Sequence, residues 1–186
     1  MRVIAGEKRH LILKTLNDLS IRPTTDKIKE TLFNMIQFDI EGCKFLDLFA
    51  GSGAIGIEAL SRKASYAVFV DNNISAIKVI KENLAHTKLT DKAKVIRSDV
   101  SAAIDSLNNN REMFDIIFMD PPYDKKLYIG VLEKIIKSDI LNDNGFIIVE
   151  AKNTDDTKII EDIGFKITKI KEYKTNKHIF LKLNES

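Results

Sequence analysis

Asp120-Pro121-Pro122-Tyr123 closes the apolar run FDIIFMD at residues 114–120 and groups residue types suited to one kind of chemistry. An exocyclic base amine is a poor nucleophile because its lone pair is delocalised into the ring. Acceptors placed on both of its N–H bonds draw the nitrogen toward sp³ geometry and free that pair. The Asp120 carboxylate and the Pro121 carbonyl are two such acceptors, and proline has no N–H of its own to compete. Pro122 stiffens the turn, which favours preorganisation. Tyr123 offers a face on which an unstacked base can lie. The chemistry implied is methyl transfer to an amine from a sulfonium donor, which is already activated and requires no metal.

Gly51-Ser52-Gly53-Ala54-Ile55-Gly56 fits the G-x-G-x-x-G pattern between a strand and a helix. Gly51 and Gly53 permit a tight turn and close approach of a ligand, and Gly56 permits close helix–strand packing. Asp71 lies twenty residues beyond Gly51, and can accept both hydroxyls of a ribose. By itself this pattern suits a nicotinamide dinucleotide and an adenosyl-methionine cofactor about equally. Asp47 shifts the balance, because a carboxylate just before the turn disfavours a pyrophosphate and favours a cationic ligand. Asp99 is placed to accept from an adenine amino group, and Val100 to offer the ring a backbone N–H. Phe49 and Asn72, flanking these residues, complete the expected cofactor set. Capping of the following helix is the competing role for Asp99.

Positioning these groups requires an alternation of strands and helices. The sequence predicts helix 24–36, strand 44–49, helix 54–63, strand 66–71 and helix 74–86. It continues with strand 94–99, helix 101–108, strand 114–120, helix 126–137, strand 145–150 and helix 155–162. Ile28, Leu32, Phe33 and Ile36 set the apolar face of the first helix, and Ile77, Ile80 and Leu84 that of the third. Residues 165–172 and 177–183 read as an antiparallel pair. Strands that are apolar throughout are buried on both faces, the signature of a central parallel sheet with helices on each side. The expected fold is α/β: a doubly wound, mostly parallel seven-stranded sheet with a C-terminal antiparallel hairpin. Ligands bind such sheets beyond the carboxyl ends of the strands. Asp47, Asp71, Asp99 and Asp120 are expected there.

Composition narrows the class. The 186 residues are 44% hydrophobic, with one cysteine and three histidines. They suit one core, no disulfide framework and no zinc site. Neither a membrane-spanning run nor a secretory signal is legible, so a cytoplasmic protein is expected. Residues 1–29 and 164–186 each carry a net charge of +4, leaving −6 between them. The acids at the strand ends suit a sulfonium but repel phosphates, so positive surface must lie elsewhere. Arg2, Lys8, Arg9 and His10, with Arg22 before the first helix, are expected to form a positive rim that contacts RNA. The basic residues of the terminal hairpin rank second.

DLFAGSG (47–53), Asp71, Asp99 and DPPY (120–123) resemble the S-adenosylmethionine-dependent amino-methyltransferases with the Rossmann-like class I fold. RVIAG (2–6), RPTTDKIKETLFN (22–34), LDLFAGSGAIGIEALSR (46–62) and FDIIFMDPPY (114–123) narrow the resemblance to one bacterial family, the 16S ribosomal RNA (guanine-N2)-methyltransferase RsmD. That resemblance covers essentially the whole chain. It implies methylation of the N2 amine of guanine 966 in small-subunit RNA, within a partly or fully assembled subunit, by a monomeric enzyme. It also implies that Asp120 through Tyr123 hold the base, that Asp71 holds the ribose, and that Arg22 and Thr24 lie near the mouth of the site. On this reading residues 1–40 form an N-terminal extension, a basic hairpin or flap plus a helix, and residues 41–186 the cofactor-binding catalytic domain. Departures from the family pattern are Ala5 in place of a glycine, Lys8-Arg9-His10 as the basic patch, Asp71 in place of glutamate, and Lys174 after Tyr173.

Three other readings compete. An amino-methyltransferase acting on DNA adenine or a protein glutamine would use the same DPPY. A nicotinamide-dependent oxidoreductase would leave that motif unexplained and lacks a second domain. A non-catalytic RNA-binding module would have no need of four strand-end carboxylates.

Overall fold

The computed structural model describes residues 1–16, 26–122 and 125–184. Arg22, Thr24 and Tyr123 lie outside these described residues. Helices and strands alternate as α1 (Asp26–Met35), β1 (Lys44–Leu48), α2 (Ala54–Ser61), β2 (Tyr66–Asp71), α3 (Ile74–Thr87), β3 (Ala93–Arg97), α4 (Val100–Asn109) and β4 (Phe114–Met119). They continue as α5 (Lys125–Ile136), β5 (Leu141–Lys152), α6 (Lys158–Ile163), β6 (Phe165–Glu172) and β7 (Asn176–Leu183). The strands form one seven-stranded sheet in the order β3-β2-β1-β4-β5-β7-β6. The chain divides into two compact units, Met1–Asp99 and Val100–Ser186.

In the first unit β2 pairs in parallel with β1 and β3. Ala67 through Val70 are fully buried, as expected of a strand covered on both faces. Phe33 stacks on Phe45 with ring centroids 6.5 Å apart, joining α1 to β1. Cys43, the one cysteine of the sequence, is buried. The face of α1 differs from expectation. Ile28 is only half-buried, while Lys29 is fully buried beside Leu32 and Phe33. Lys29 precedes Leu32 and Phe33 by three and four positions, so it occupies the same face.

Residues 2–13 fold back on themselves through one bridge, Arg2 to Ile12. Val3 and Leu13 are its buried anchors. This flap is fastened to α2 rather than standing apart from it. Glu58 accepts from the backbone N–H groups of Ile4 at 2.8 Å and Ala5 at 3.0 Å. Ser61 donates to the Ala5 carbonyl and accepts from Lys8 N–H. Gly6 sits at φ +83°, and a Cβ there would lie 1.9 Å from the Ser61 carbonyl oxygen. The RVIAG segment therefore ends in glycine because only a bare Cα fits against α2.

In the second unit β4 runs parallel to β5, while β7 is antiparallel to both β5 and β6. The fifth strand starts at Leu141 rather than Gly145, after a register shift between Phe114 and Ile116. A hydrogen bond from Asn142 to the Asp115 carboxylate at 2.6 Å holds that polar stretch in place.

Candidate active site

The turn after β1 is strained and held from several sides. Phe49, Gly51 and Gly53 all have positive φ, at 61°, 54° and 76°. For the two glycines this conformation is inexpensive; for Phe49 it costs about 1 kcal/mol or more. The surroundings fix it. Ala50 N–H donates to the Val70 carbonyl, and Gly51 N–H to Asp71 Oδ2, each at 2.9 Å. Asn83, buried on α3, donates to the Ser52 carbonyl at 2.9 Å. A Cβ at Gly51 would meet no atom within 4 Å, whereas one at Gly56 would lie 2.3 Å from the Phe69 ring. Gly51 thus faces open space where a ligand can approach, and Gly56 is required by helix–strand packing.

Asp71 ends β2. Its Oδ2 accepts from Gly51 and its Oδ1 from Asn73 N–H at 2.8 Å. Each carboxylate oxygen retains a further lone pair, the acceptor capacity a ribose diol requires. Asn73 caps α3 through Ser75 N–H, leaving Asn72 exposed. Asp99 is exposed immediately before α4, and Val100 is the buried first residue of that helix.

Asp47 lies inside β1 rather than at its tip, with only 1% of its surface exposed. Its Oδ2 accepts from Gly56 N–H at 2.9 Å, so the carboxylate fastens the first turn of α2. Burial raises its pKa from 3.8 to about 7; the Gly56 hydrogen bond opposes that shift and the Asp71 charge adds to it. Below pH 3.8 the group is neutral whether the chain is folded or unfolded. Between 3.8 and about 7 the unfolded chain releases a proton that the folded chain keeps, so this residue's contribution falls as pH rises, and stays low above. Asp47→Asn should remove that decline. The stability of the variant relative to the parent, measured by urea unfolding, should improve by roughly 2 kcal/mol from pH 5 to pH 8. An equal difference at both values contradicts the assignment.

In the second unit Asp120 directly follows β4. It is half-buried, Pro121 is buried and Pro122 is exposed. Among the described residues no three His, Cys, Asp or Glu side chains group as a metal site, and no helix is long and apolar enough to cross a membrane.

The basic N-terminal residues surround a groove of about 520 Å³ lined by Arg2, Ile4, Arg9, His10, Asp26, Lys27 and Glu30. Arg9 and His10 are exposed and Lys8 half-buried. Arg2 is partly committed, its guanidinium lying 3.3 Å from Asp26. Sequence reasoning missed the groups that set this arrangement: Glu58, Lys29 and Asn83. Each had a signal, since each is a polar residue on an otherwise apolar helix face.

A doubly wound seven-stranded sheet, a strained glycine turn and a strand-end carboxylate on the next strand define a Rossmann-like class I methyltransferase. Residues 1–182 match the protein family described as Conserved hypothetical protein 95. The chain is 37% identical over 151 residues to ribosomal RNA small subunit methyltransferase D of Escherichia coli K12, covering 81% of this chain and 71% of that protein. The protein of the same name from Buchnera aphidicola subsp. Baizongia pistaciae is 36% identical over 186 residues, covering 99% and 92%. A solved structure from Escherichia coli matches with a TM-score of 0.85 at 29% identity, covering 98% of this chain and 97% of that one. The chain belongs to the RsmD family of bacterial small-subunit ribosomal RNA methyltransferases.

Proposed function

We propose that this protein transfers a methyl group from S-adenosylmethionine to the exocyclic N2 amine of a guanine in 16S ribosomal RNA, at position 966 by family resemblance. The observation that supports this reading is the fixed glycine turn of the first unit, open above Gly51 and closed by Asp71; the Asp120-Pro121-Pro122 motif of the second unit directly follows β4. Bound S-adenosylmethionine supplies an electrophilic methyl group on a sulfonium. Gly51 and Gly53 admit the methionine portion and Asp71 accepts the ribose hydroxyls, with Phe49 and Asn72 beside them in the cofactor set. Asp99 and Val100 receive the adenine. Asp47 acts from beneath the turn, holding α2 in place and adding negative potential that a cationic donor relieves. Asp120 and the Pro121 carbonyl accept from the guanine amine, and Tyr123 stacks on the base.

The cofactor assignment is tested by calorimetry. S-adenosylhomocysteine should bind at micromolar concentration (about −8 kcal/mol) and NAD negligibly. Asp71→Ala should weaken the cofactor more than RNA. Tight NAD binding without S-adenosylhomocysteine binding defeats it.

RNA, within a partly or fully assembled small subunit in the cytoplasm, is met by the flap. Lys8, Arg9, His10 and Arg2, with Arg22 and Thr24, form the contact rim. Replacing Lys8 and Arg9 together with alanine should weaken RNA binding and lower the salt dependence by up to about two units of slope. S-adenosylhomocysteine affinity should not change. Unaltered RNA affinity and slope place the RNA on another surface.

A further inference from the structure

We propose that Glu150 is a second carboxylate of the methyl-acceptor site, held by Asn176 and a His178–Tyr173 pair, and that its charge stabilises the cation forming on the target nitrogen. This rests on the reading of Asp120 through Tyr123 as the amine-binding turn. In the parallel register of β4 and β5, Met119 is opposite Val149. Beyond that pair come Asp120, directly after β4, and Glu150, still within β5, at the ends of neighbouring strands, which lie about 4.8 Å apart. Phe118 is opposite Ile148, and Glu150 is opposite His178 on β7. The rings of Phe118 and His178 meet edge-on, with centroids 6.1 Å apart. Phe118, Ile148, Glu150 and His178 therefore share one face, and Asp120 is the next residue of that alternation along the chain.

A buried carboxylate here is costly unless satisfied, and apolar side chains would serve packing better. Glu150 is only 8% exposed and His178 not at all, beside the fully buried Ile147, Ile148 and Val149. The group is nevertheless completely provided for. Asn176 Nδ2 donates to Oε1, and His178 Nε2 lies 3.2 Å from Oε2. The Tyr173 hydroxyl lies 3.1 Å from His178 Nδ1. Burial, then the Glu150 charge, pushes the Tyr173 phenol up to about 12, so it remains a donor. In the tautomer with its hydrogen on Nε2, His178 donates to Glu150 and its Nδ1 accepts from Tyr173. The donors from Asn176 and His178 thus converge on one carboxylate at the end of β5.

Negative charge there has a use. N2 forms its bond to the methyl carbon as the sulfur–methyl bond breaks and that electron pair stays on sulfur. The nitrogen becomes cationic until one of its protons passes to Asp120 and on to solvent. Glu150 opposes the positive charge across this interval without touching the amine, which makes it a positioning and electrostatic residue rather than a catalytic one.

Glu150→Gln preserves the side-chain shape and removes the charge; Tyr173→Phe removes the far donor from a half-buried site. Both are assayed with S-adenosylmethionine and small-subunit particles lacking the modification. The Gln variant should lose about tenfold in single-turnover rate, the size expected for one charge acting through a partly screened interior. Its KM for the particle and its affinity for S-adenosylhomocysteine should stay within about twofold, and the Phe variant should lose less rate. A Gln variant with the parent's rate, or one changed only in KM and melting temperature, overturns the proposal. If the Gln variant does not fold, an unchanged rate in Tyr173→Phe overturns it instead. A parent enzyme that forms no N2-methylguanine defeats the underlying function, a result separate from these.

Discussion

Asp120→Ala should lower the single-turnover rate of methyl transfer by about 10²–10³, the range seen when one oriented group facing developing charge is removed. The structure gives the reason for so large an effect from one side chain. Strand β4 is buried from Ile116 through Met119, so its end is rigid. Pro121, itself buried, fixes the residue before it in an extended conformation. Asp120 is thus presented without a further conformational cost. Alanine at this position leaves the Pro121 carbonyl as the one remaining acceptor, and the amine stays conjugated with the base. RNA affinity should remain within a few-fold, because phosphate contacts supply most of it. Binding of S-adenosylhomocysteine should be unaltered. A near-normal single-turnover rate would remove this carboxylate from the mechanism.

Glu58→Ala should produce the largest loss of stability, about 3–5 kcal/mol, as expected when one partner of a buried ion pair is deleted. Glu58 and Lys29 have no exposed side-chain surface, and Lys29 Nζ lies 3.4 Å from Glu58 Oε2. Burial lowers the Lys29 pKa, with Glu58 acting against that shift. Lys29 also donates to the Arg2 carbonyl at 2.6 Å. Arg62 reaches Glu58 Oε1 at 2.8 Å while its guanidinium lies over the Phe33 ring. One carboxylate therefore joins α1, α2 and the flap. Its loss strands a buried ammonium and frees the N–H groups of Ile4 and Ala5. The milder Glu58→Gln keeps an acceptor for the flap and should cost less. Denaturant unfolding measures the first effect, and amide exchange at Ile4, Ala5 and Lys8 the second. In a folded variant RNA binding should suffer while S-adenosylhomocysteine binding persists. A stability loss below about 1 kcal/mol, or unchanged amide protection in the flap, contradicts this account.

The elements that position the site were legible because their periodicity is strong. Strand 66–71 is YAVFVD in sequence and in structure. Helix 74–86 extends one residue further, to Thr87. The start of β5 was not legible, since Leu141-Asn142-Asp143-Asn144 reads as a loop until Asn142 meets Asp115. The buried polar groups showed in the sequence as breaks in apolar faces, but their partners did not. Patterning sends polar residues outward unless a partner is known, and these partners are remote. Glu58 meets Ile4 from 54 positions away, and Asn83 meets Lys14 from 69. Asp47 was read as facing a ligand because an acid at a strand end usually does; its bond to Gly56 turns it inward instead. The glycine turn, Asp71 and Asp120 were legible as motifs, because their spacing is local. The strain at Phe49 was not, since no sequence signal distinguishes a left-handed phenylalanine from an ordinary one.

On the proposed function, the amine methylated is N2 of a guanine in small-subunit RNA. Small ribosomal subunits from cells lacking this gene, incubated with the purified protein and S-adenosylmethionine carrying a labelled methyl group, test it most directly. After digestion the label should appear in one nucleoside, N2-methylguanosine, at a single position of 16S RNA. Label in N6-methyladenine, in a protein glutamine, or in no product at all, from enzyme that binds S-adenosylhomocysteine, would contradict it.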